Sequence, residues 1–235
     1  MNTKNKVLSL SLCAAFGAAF VLSSAVLPSV PAVFAETNSL QTAIDGAQSG
    51  GTVKLTENCA EAVTVAQDDN IVLDLNGFEI SATLTNNGTL KIVDSVGTGA
   101  FRLTSNTSGV VSAIVNNGGL TFDGATVEAT GTGNQTDIRG ITNNSDAAVS
   151  FLSGDISVIS SGGYFGNAIF NAAGGTVEEI SGGTLSAQIS NTNVKLNSVA
   201  INNSGTIKDI SGGKITSENN GNGGTGNYAV AIRNN

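Results

Sequence analysis

Histidine and tryptophan are absent from the 235-residue chain, and cysteine and proline occur only twice each. Without histidine, the chain lacks the side chain that most often acts as a general acid or base near neutral pH. Catalysis would therefore depend on carboxylates or on arginines. The arginines are few, since Lys and Arg together number only 10. Aromatic residues make up 5% of the chain, which favours a core of Ile, Val, Leu and Ala.

The N-terminal segment differs in composition from the rest. Lys4 and Lys6 precede an apolar run from Val7 to Leu27, and a small residue, Ala35, ends the segment. This pattern predicts a secretory signal peptide over residues 1–35, so that the mature chain begins near Glu36. An uncleaved membrane anchor is the alternative, but the small residues before the cleavage point favour removal.

Removal of the signal has two consequences for the mature chain. Cys13 is lost, so Cys59 has no intrachain disulfide partner, and we expect it to be a small, partly buried residue. Loss of Lys4 and Lys6 lowers the basic residues from 10 to 8 against 18 acidic residues, giving a net charge of −10. Such an acidic surface disfavours nucleic acid and anionic lipid as partners.

A short helix is predicted ahead of the strands. Leu40, Ala43, Ile44 and Ala47 follow helical spacing, and Ser39 can cap the first turn. We expect Gly50-Gly51 to end this helix, which would cover the first turn of the structure behind it. Residues 36–51 are therefore assigned to a capping helix and an entry turn.

Pairs of asparagines recur behind short apolar stretches. Counting a degenerate copy at Asn171-Ala172, the first members of successive pairs are 30, 27, 28, 31 and 32 residues apart. The complete pairs are Asn86/Asn87, Asn116/Asn117, Asn143/Asn144, Asn202/Asn203 and Asn234/Asn235. A period near 30 residues is typical of a solenoid, in which one coil is copied along an axis. We expect the asparagines to stack at one corner and bond their amides between coils.

The segments between these pairs read as strands of three to five residues, three to a coil, separated by Gly, Asn and Ser. The predicted strands are Thr52–Leu55, Val63–Val65, Ile71–Leu75, Leu90–Val93, Val111–Val115, Leu120–Phe122, Val149–Leu152 and Val199–Ile201. Residues 52–235 are therefore predicted to form an all-β, single-stranded parallel β-helix, which we expect to be incomplete at its C-terminal end.

One internal repeat fixes the predicted register. The segment from Gly175 to Gly183 returns 30 residues later with its apolar positions kept and its charged positions changed. Val177 should therefore stack on Ile207, and Ile180 on Ile210, in an interior column. On this basis Ile210→Asp should be strongly destabilising and Lys208→Asp nearly silent. The Gly-Gly pairs at 182/183 and 212/213 should mark corners that need positive φ or close backbone approach.

Three groups of residues resemble a known class of proteins. They are Ile71-Val72-Leu73-Asp74-Leu75-Asn76-Gly77, Leu90-Lys91-Ile92-Val93-Asp94-Ser95 with Gly97-Thr98-Gly99, and the Ile-Ser-Gly-Gly repeats. They resemble exported bacterial surface proteins with right-handed, pectate-lyase-like β-helix domains. The resemblance implies a right-handed solenoid and a surface location, and many such proteins are adhesins. It also raises polysaccharide lyases and hydrolases as an alternative.

Candidate catalytic residues are few. Arg102, Arg139 and Arg233 are the arginines available as a lyase base or substrate clamp, and a hydrolase needs two carboxylates. The available acids are Asp68, Asp69, Asp74, Asp94 and Asp123. None forms the paired-Asp strand motif of polygalacturonase-like enzymes, so no catalytic residue is assigned.

No metal or cofactor site is assigned either. Asp68-Asp69, Glu178-Glu179 and Asp209 offer oxygen ligands for calcium, but the known calcium-loop patterns are absent, and we interpret these acids as solvated. Thr83/Thr85 and Thr104/Thr107 do not continue as a column, which disfavours a flat threonine face for ice or glycan.

The sequence thus favours a secreted or cell-surface, structural or adhesin-like β-helix that presents a rigid surface to a glycan or to a host or matrix protein. We expect a further partner or continuation to cover the open C-terminal coil. The competing interpretation is a glycan-active β-helix enzyme or a non-catalytic fragment of one.

Overall fold

The computed structural model describes residues 32–33, 39–133, 136–162, 165–190, 197–220 and 228–235. These residues form an all-β parallel solenoid of about five turns with a short helix near the N terminus. The helix α1 spans Leu40–Gly46, and the strands are β1 Ala32–Val33, β2 Gly51–Lys54, β3 Val63–Val65, β4 Asn70–Asp74, β5 Glu79–Ile80, β6 Leu84–Asn86, β7 Thr89–Val93, β8 Ala100–Ser105, β9 Gly109–Asn116, β10 Gly119–Gly131, β11 Thr136–Asn143, β12 Ala148–Ser160, β13 Phe165–Asn171, β14 Thr176–Ile180, β15 Thr184–Ile189, β16 Asn197–Asn203, β17 Thr206–Ile207, β18 Lys214–Asn219 and β19 Tyr228–Asn234.

The N-terminal signal largely lies outside the described residues. Within the segment predicted as signal peptide, Ala32–Val33 pairs in parallel with Val53–Lys54 of β2. Residues 1–31 and 34–38, which include Cys13 and the expected cleavage point after Ala35, are not among those described. Signal peptide and cleavage therefore stay predictions.

The predicted helix is present and packs on the first coil. The Ser39 side chain caps it by accepting a hydrogen bond from the Thr42 amide at 3.2 Å. Leu40 and Ile44 are buried, so one face of the helix joins the core. The helix ends at Gly46, earlier than the predicted stop at Gly50-Gly51, because the chain turns extended at Ala47.

The strands form three parallel ladders, which we call the first, second and third faces. The first face is β2-β4-β7-β10-β12-β14-β17, and the second is built from β5, β8, β10, β12, β15 and β18. The third face is β3-β6-β9-β11-β13-β16-β19. Every pairing joins a strand to its counterpart one coil away, as a parallel solenoid requires.

Two strands are longer than predicted because the corner between the first and second faces does not always break the strand. β10 and β12 each run for 13 residues and carry a register shift between their two halves. At this corner Gly124 and Gly154 have φ of 91° and 100°, which lets a bulged strand bend without ending. The predicted three-strand coil thus becomes two segments in these coils.

The core is a set of stacked apolar columns. Val177 pairs with Ile207 and Ile180 bridges to Ile210, so the predicted register is confirmed. Phe122 and Phe151 stack in the same interior, with ring centroids 5.6 Å apart. Burial of these aliphatic and aromatic columns supplies the main driving force for folding.

The corner between the third and first faces carries a buried amide ladder. Each inner asparagine donates from Nδ2 to Oδ1 of the next coil, over 2.6–2.8 Å. Its members are Asn86, Asn116, Asn143, Asn171, Asn203 and Asn234. The Nδ2 groups also donate to backbone carbonyls, for example from Asn143 to Thr176 at 3.1 Å, so corner groups that would otherwise lack partners are satisfied.

One step of the predicted asparagine period is wrong. The sequence placed Asn202 in phase with the first member of each pair, whereas the structure pairs Asn203 with Asn171 and Asn234. Asn203 is buried at 2% exposure, and Asn202 lies beside Arg233 in the register. Two adjacent asparagines look the same in the sequence, but only one can point inward on a strand.

The expected burial of Ile210 is also wrong. Ile210 is 40% exposed, although Ile180 in the preceding coil is fully buried. The described chain places a coil on only one side of Ile210, so half of its interior column is missing. The expectation of a large penalty for Ile210→Asp applies to Ile180 instead.

The Gly-Gly corners behave as predicted. Gly183 has φ of 69°, in the region that favours glycine. A Cβ added to Gly182 would lie 2.5 Å from the Leu152 carbonyl oxygen. These corners therefore need glycine both for its conformation and for its lack of a side chain.

Candidate functional site

Asp74 and Asp94 serve the turns of the first coils. Asp74 Oδ1 accepts the amides of Asn76 and Ser95 at 2.9 Å each, and Lys54 Nζ lies 3.4 Å from its Oδ2. Burial by itself raises the pKa of the Asp74 carboxyl, but the hydrogen bonds from Ser95 and Asn76 and the charge of Lys54 outweigh it, and the pKa lies below its usual value.

Asp94 and Asp69 also bind backbone amides. Asp94 accepts from Gly77 at 2.7 Å and from Gly99 at 2.5 Å, and Asp69 accepts from Ala66 at 3.1 Å. Asp68 is exposed. These carboxylates hold turns, and Asp74 and Asp94 accept from the adjacent amides of Asn76 and Gly77.

Asp123 lies on the first face and has two partners. Lys91 Nζ is 2.9 Å from its Oδ2, and Ser153 Oγ donates to its Oδ1 at 2.8 Å. The hydrogen bonds from Lys91 and then Ser153 hold the pKa of the Asp123 carboxyl below its usual value. Its side chain is 34% exposed, against 9% for Asp74, so Asp123 is the acid to alter in a test for catalysis.

The calcium candidates do not form a group of three among the described residues. Glu178 pairs with Lys208 through contacts of 2.7 and 2.9 Å, while Asp209 is exposed. Within the part of the chain that the structure describes, no three Asp, Glu, Cys or His side chains lie close enough to hold a metal ion. Calcium dependence stays an open prediction.

The candidate threonines do not form columns that continue from coil to coil, as the sequence predicted. Thr85 pairs with Val115 in the next coil, and Val115 pairs with Thr142. Thr104 pairs with Thr130, which in turn pairs with Ile159. The surface therefore changes its chemistry from coil to coil.

Cys59 lies beside a cavity next to the capping helix. The cavity has a volume of about 270 Å³ and is lined by Leu40, Leu55, Glu57, Cys59 and Glu61, among others. Cys59 is partly buried, as predicted, and burial raises the pKa of its thiol above the ordinary value. A protonated thiol is a poor nucleophile.

A second cavity, of about 400 Å³, lies at the last coil. Ile207, Ile210 and Ile232 line it, with Asn203 and Asn234 at the ladder corner. Ile210 and Ile232 are 40% and 39% exposed. A cover over this end stays a prediction.

The three candidate arginines have different surroundings. Arg102, on the second face, lies between two carboxylates, with Nε 3.1 Å from Glu79 and Nη1 in contact with Glu128. Arg233 lies over Tyr228 on the third face, and its Nη1 donates to the tyrosine hydroxyl at 3.0 Å. Both side chains are exposed or nearly so.

Arg139 belongs to a denser group, which we call the third-face cluster: Asp137, Arg139, Asn167 and Phe170. The Arg139 guanidinium carbon lies 3.7 Å from the centroid of the Phe170 ring, within cation–π distance. Its Nη2 donates to Asp137 Oδ2 at 2.6 Å. The Asn167 amide donates to the other carboxylate oxygen, Asp137 Oδ1, at 3.2 Å, so Asp137 joins two coils.

The third-face cluster holds polar atoms that lack partners. Arg139 Nε and Asn167 Oδ1 are buried without a hydrogen-bond partner, and so is Asn197 Oδ1 in the next coil. Asn167 is 1% exposed, and the Arg139 side chain 11%. An unsatisfied buried donor or acceptor costs about 1–3 kcal/mol, so this arrangement is not optimised for stability.

The fold does not demand these polar residues. Arg139 pairs with Ser112 on one side and with Asn167 on the other, and the same register position continues as Val199 and Val230. Val199 is fully buried there. The solenoid accepts valine at this position in two coils, so packing does not require the arginine and asparagine in two others.

Among the described residues, no helix is sufficiently long and apolar to cross a bilayer. Comparison of the chain with protein-family models, with curated proteins and with solved structures found no match. The fold is therefore established here by the pairing pattern itself, and any role must be argued from the side chains.

Sequence reasoning named Arg139 as a possible clamp but did not find the third-face cluster. Asp137 and Arg139 lie on one coil, and Asn167 and Phe170 lie on the next. Residues that pair or bond between these two coils are 28 to 30 positions apart in the sequence. The missed signal is a charged residue at a strand position that is apolar in other coils. Finding it requires the register to be known to the residue.

Proposed function

We propose that this protein is an exported, cell-surface β-solenoid of the structural or adhesin-like kind, which presents a rigid wall for binding and catalyses no reaction. One observation carries the proposal: the interior repeats while the exterior does not. The inner ladder position is asparagine in six successive coils. The partly exposed position at Lys91 on the first face is valine, lysine, threonine, serine and glutamate in five successive coils.

This division suits a binding scaffold. Stacking fixes the backbone through columns that face inward, so outward side chains can change without loss of the fold. A rigid surface also loses little conformational entropy when a partner binds. The candidate acids support the non-catalytic part of the proposal, since Asp74 and Asp94 are engaged with turn amides.

The finer features rest on the sequence. The charged start, the apolar run and Ala35 support export, and the strand and corner motifs support a right-handed, pectate-lyase-like solenoid of bacterial type. Right-handed connection between parallel strands is also the general preference, at about 98% of cases.

The proposal is tested on the full chain expressed with export in a bacterial host. The recovered protein is sequenced from its N terminus and titrated against immobilised oligosaccharides and extracellular-matrix proteins by surface plasmon resonance. Acidic polysaccharide is then incubated with it, with and without calcium, and assayed for unsaturated and reducing ends. Saturable binding without turnover, on a chain that begins near Glu36, is the expected result.

Two outcomes would overturn the proposal. Turnover that disappears in Asp123→Ala, with the fold intact by circular dichroism, would make the protein an enzyme. Absence of binding to both oligosaccharides and matrix proteins would remove the adhesive role.

A further inference from the structure

We propose that the third-face cluster is a binding site for an uncharged sugar residue of a glycan. The inference rests on the proposed function, because it names the ligand class of the same binding wall. It goes further by assigning the site to Asp137, Arg139, Asn167 and Phe170, on the third face.

The charge of the cluster favours an uncharged ligand. Arg139 is neutralised by Asp137 at 2.6 Å, so the pair offers no net positive charge to attract a carboxylate or sulfate. The whole chain has a net charge of −8, which repels anions further. A ligand rich in hydroxyl groups meets neither obstacle.

The hydrogen-bonding groups of the cluster match hydroxyls. A hydroxyl both donates and accepts, whereas a guanidinium only donates and a carboxylate only accepts. Arg139 Nε is an unpaired donor, and Asn167 Oδ1 is an unpaired acceptor. A cluster that holds both donors and acceptors suits the adjacent hydroxyls of a sugar better than a ligand that only donates or only accepts hydrogen bonds.

Phe170 supplies the apolar surface. One face of its ring lies against Arg139, and the side chain is partly exposed. An aromatic ring beside a few placed polar groups is the usual composition of a small-molecule site, and the C–H face of a pyranose can pack on such a ring.

The closed cluster must open for full contact. Arg139 Nε and Asn167 Oδ1 are shielded from solvent, so ligand hydroxyls reach them only when the side chains part. Opening gives up the cation–π contact between Arg139 and Phe170. In exchange, the ligand hydroxyls give hydrogen-bond partners to polar atoms that are buried without them in the closed cluster.

The test uses the full chain and an array of printed oligosaccharides, uncharged and uronic-acid-containing. The tightest uncharged binder is then titrated by calorimetry against Arg139→Val, Asn167→Val and Phe170→Thr. Each substitution copies a residue found at the same register position in another coil, namely Val199 or Thr142. The matched control is Arg102→Val on the second face.

We expect the three cluster variants to weaken binding about tenfold or more, and Arg102→Val to change it less than about twofold. Asn167→Val should leave the midpoint of thermal unfolding nearly unchanged while it weakens binding, because removal of an unpaired buried acceptor offsets loss of the bond to Asp137 Oδ1. A purely structural role for the cluster would instead lower stability and binding together. If Arg139→Val does not fold, Phe170→Thr decides the outcome.

Four results would overturn the inference. The chain could prefer acidic oligosaccharides, or the cluster variants could bind uncharged oligosaccharides as tightly as the wild type does. Either result would place the site elsewhere and leave the proposed function standing. Binding to matrix proteins without any oligosaccharide would do the same. Absence of binding to either class would overturn the inference and the proposed function together.

Discussion

The two copies of the Ile-Ser-Gly-Gly motif, at 180–183 and 210–213, have the same sequence but different environments. Ile180 is fully buried and Ile210 is 40% exposed. Leu185 is 1% exposed, and its partner in the last coil, Ile215, is only partly buried. The difference shows that burial in this fold comes from having a neighbour on each side, and that the motif supplies only the shape.

The largest expected effect is in the interior column. Ile180→Asp should lower the free energy of unfolding by about 4 kcal/mol or more, because an unpaired carboxylate would enter a fully buried site. Ile210→Asp should cost about 1 kcal/mol, because water reaches that position. Urea unfolding followed by circular dichroism measures both. Equal losses would show that something covers the last coil in solution.

The amide ladder gives the next contrast. Asn143→Ala removes ladder bonds to Asn116 and Asn171, both 2.7 Å, and should cost about 2–4 kcal/mol because buried amide groups of both neighbours lose partners. Asn234→Ala removes a single ladder bond, from Asn203, at an exposed end, and should cost about 1 kcal/mol or less. Thermal unfolding of the two variants at one pH compares them, and a ladder without energetic coupling would give the same shift for both.

Acid should act on the first coils through Asp74. Its pKa is lowered in the folded chain, so its contribution to stability is present above the unfolded value of about 3.9 and is lost as pH falls through the folded pKa. Asp74→Asn should therefore flatten the fall in unfolding midpoint on the acid side of pH 4. Melting curves from pH 2 to 7 provide the measurement. An unchanged acid limb in Asp74→Asn would contradict the assignment.

The smallest effects should be at outward ion pairs. Lys91 and Asp123 pair in a middle coil at 2.9 Å, and Lys208 and Glu178 pair in the last coils at 2.7 Å. Both pairs are substantially exposed, so Lys91→Gln and Lys208→Gln should each cost about 0.5 kcal/mol or less. Differential scanning calorimetry at low and high salt would check this. A large loss at Lys91 alone would mean that the outer wall, too, depends on its place in the stack.

Much of the fold could be predicted from the sequence, because stacking repeats the same requirement in each coil. The pairings of Val177 with Ile207 and of Ile180 with Ile210 are confirmed, and so is the helix capped by Ser39. The offset at Asn202 could not be predicted, because choosing between two adjacent asparagines requires knowing which way the strand faces. The predicted burial of Ile210 was wrong because the repeat pattern does not show whether a position has a described coil on both sides.

The candidate site was harder to predict than the fold. Arg139 and Asn167 share a register position only because β11 and β13 pair as they do, and the two coils differ in length between corners. Phe170 follows a buried strand pattern and, in the sequence alone, looks like a core residue. The contact of its ring with a guanidinium depends on side-chain packing between coils, which no sequence period describes.

The buried asparagine ladder has a direction. At each step the Nδ2 group of one coil donates to the Oδ1 atom of the coil that follows, whereas the outer amides of Asn117 and Asn144 donate toward the preceding coil. A window cut from one inner asparagine to the next thus has an acceptor at one edge and a donor at the other. Such windows can be deleted, duplicated or moved as interchangeable cassettes, but an inverted window would set donor against donor. The length of the rod is therefore adjustable in whole steps, and its polarity is not.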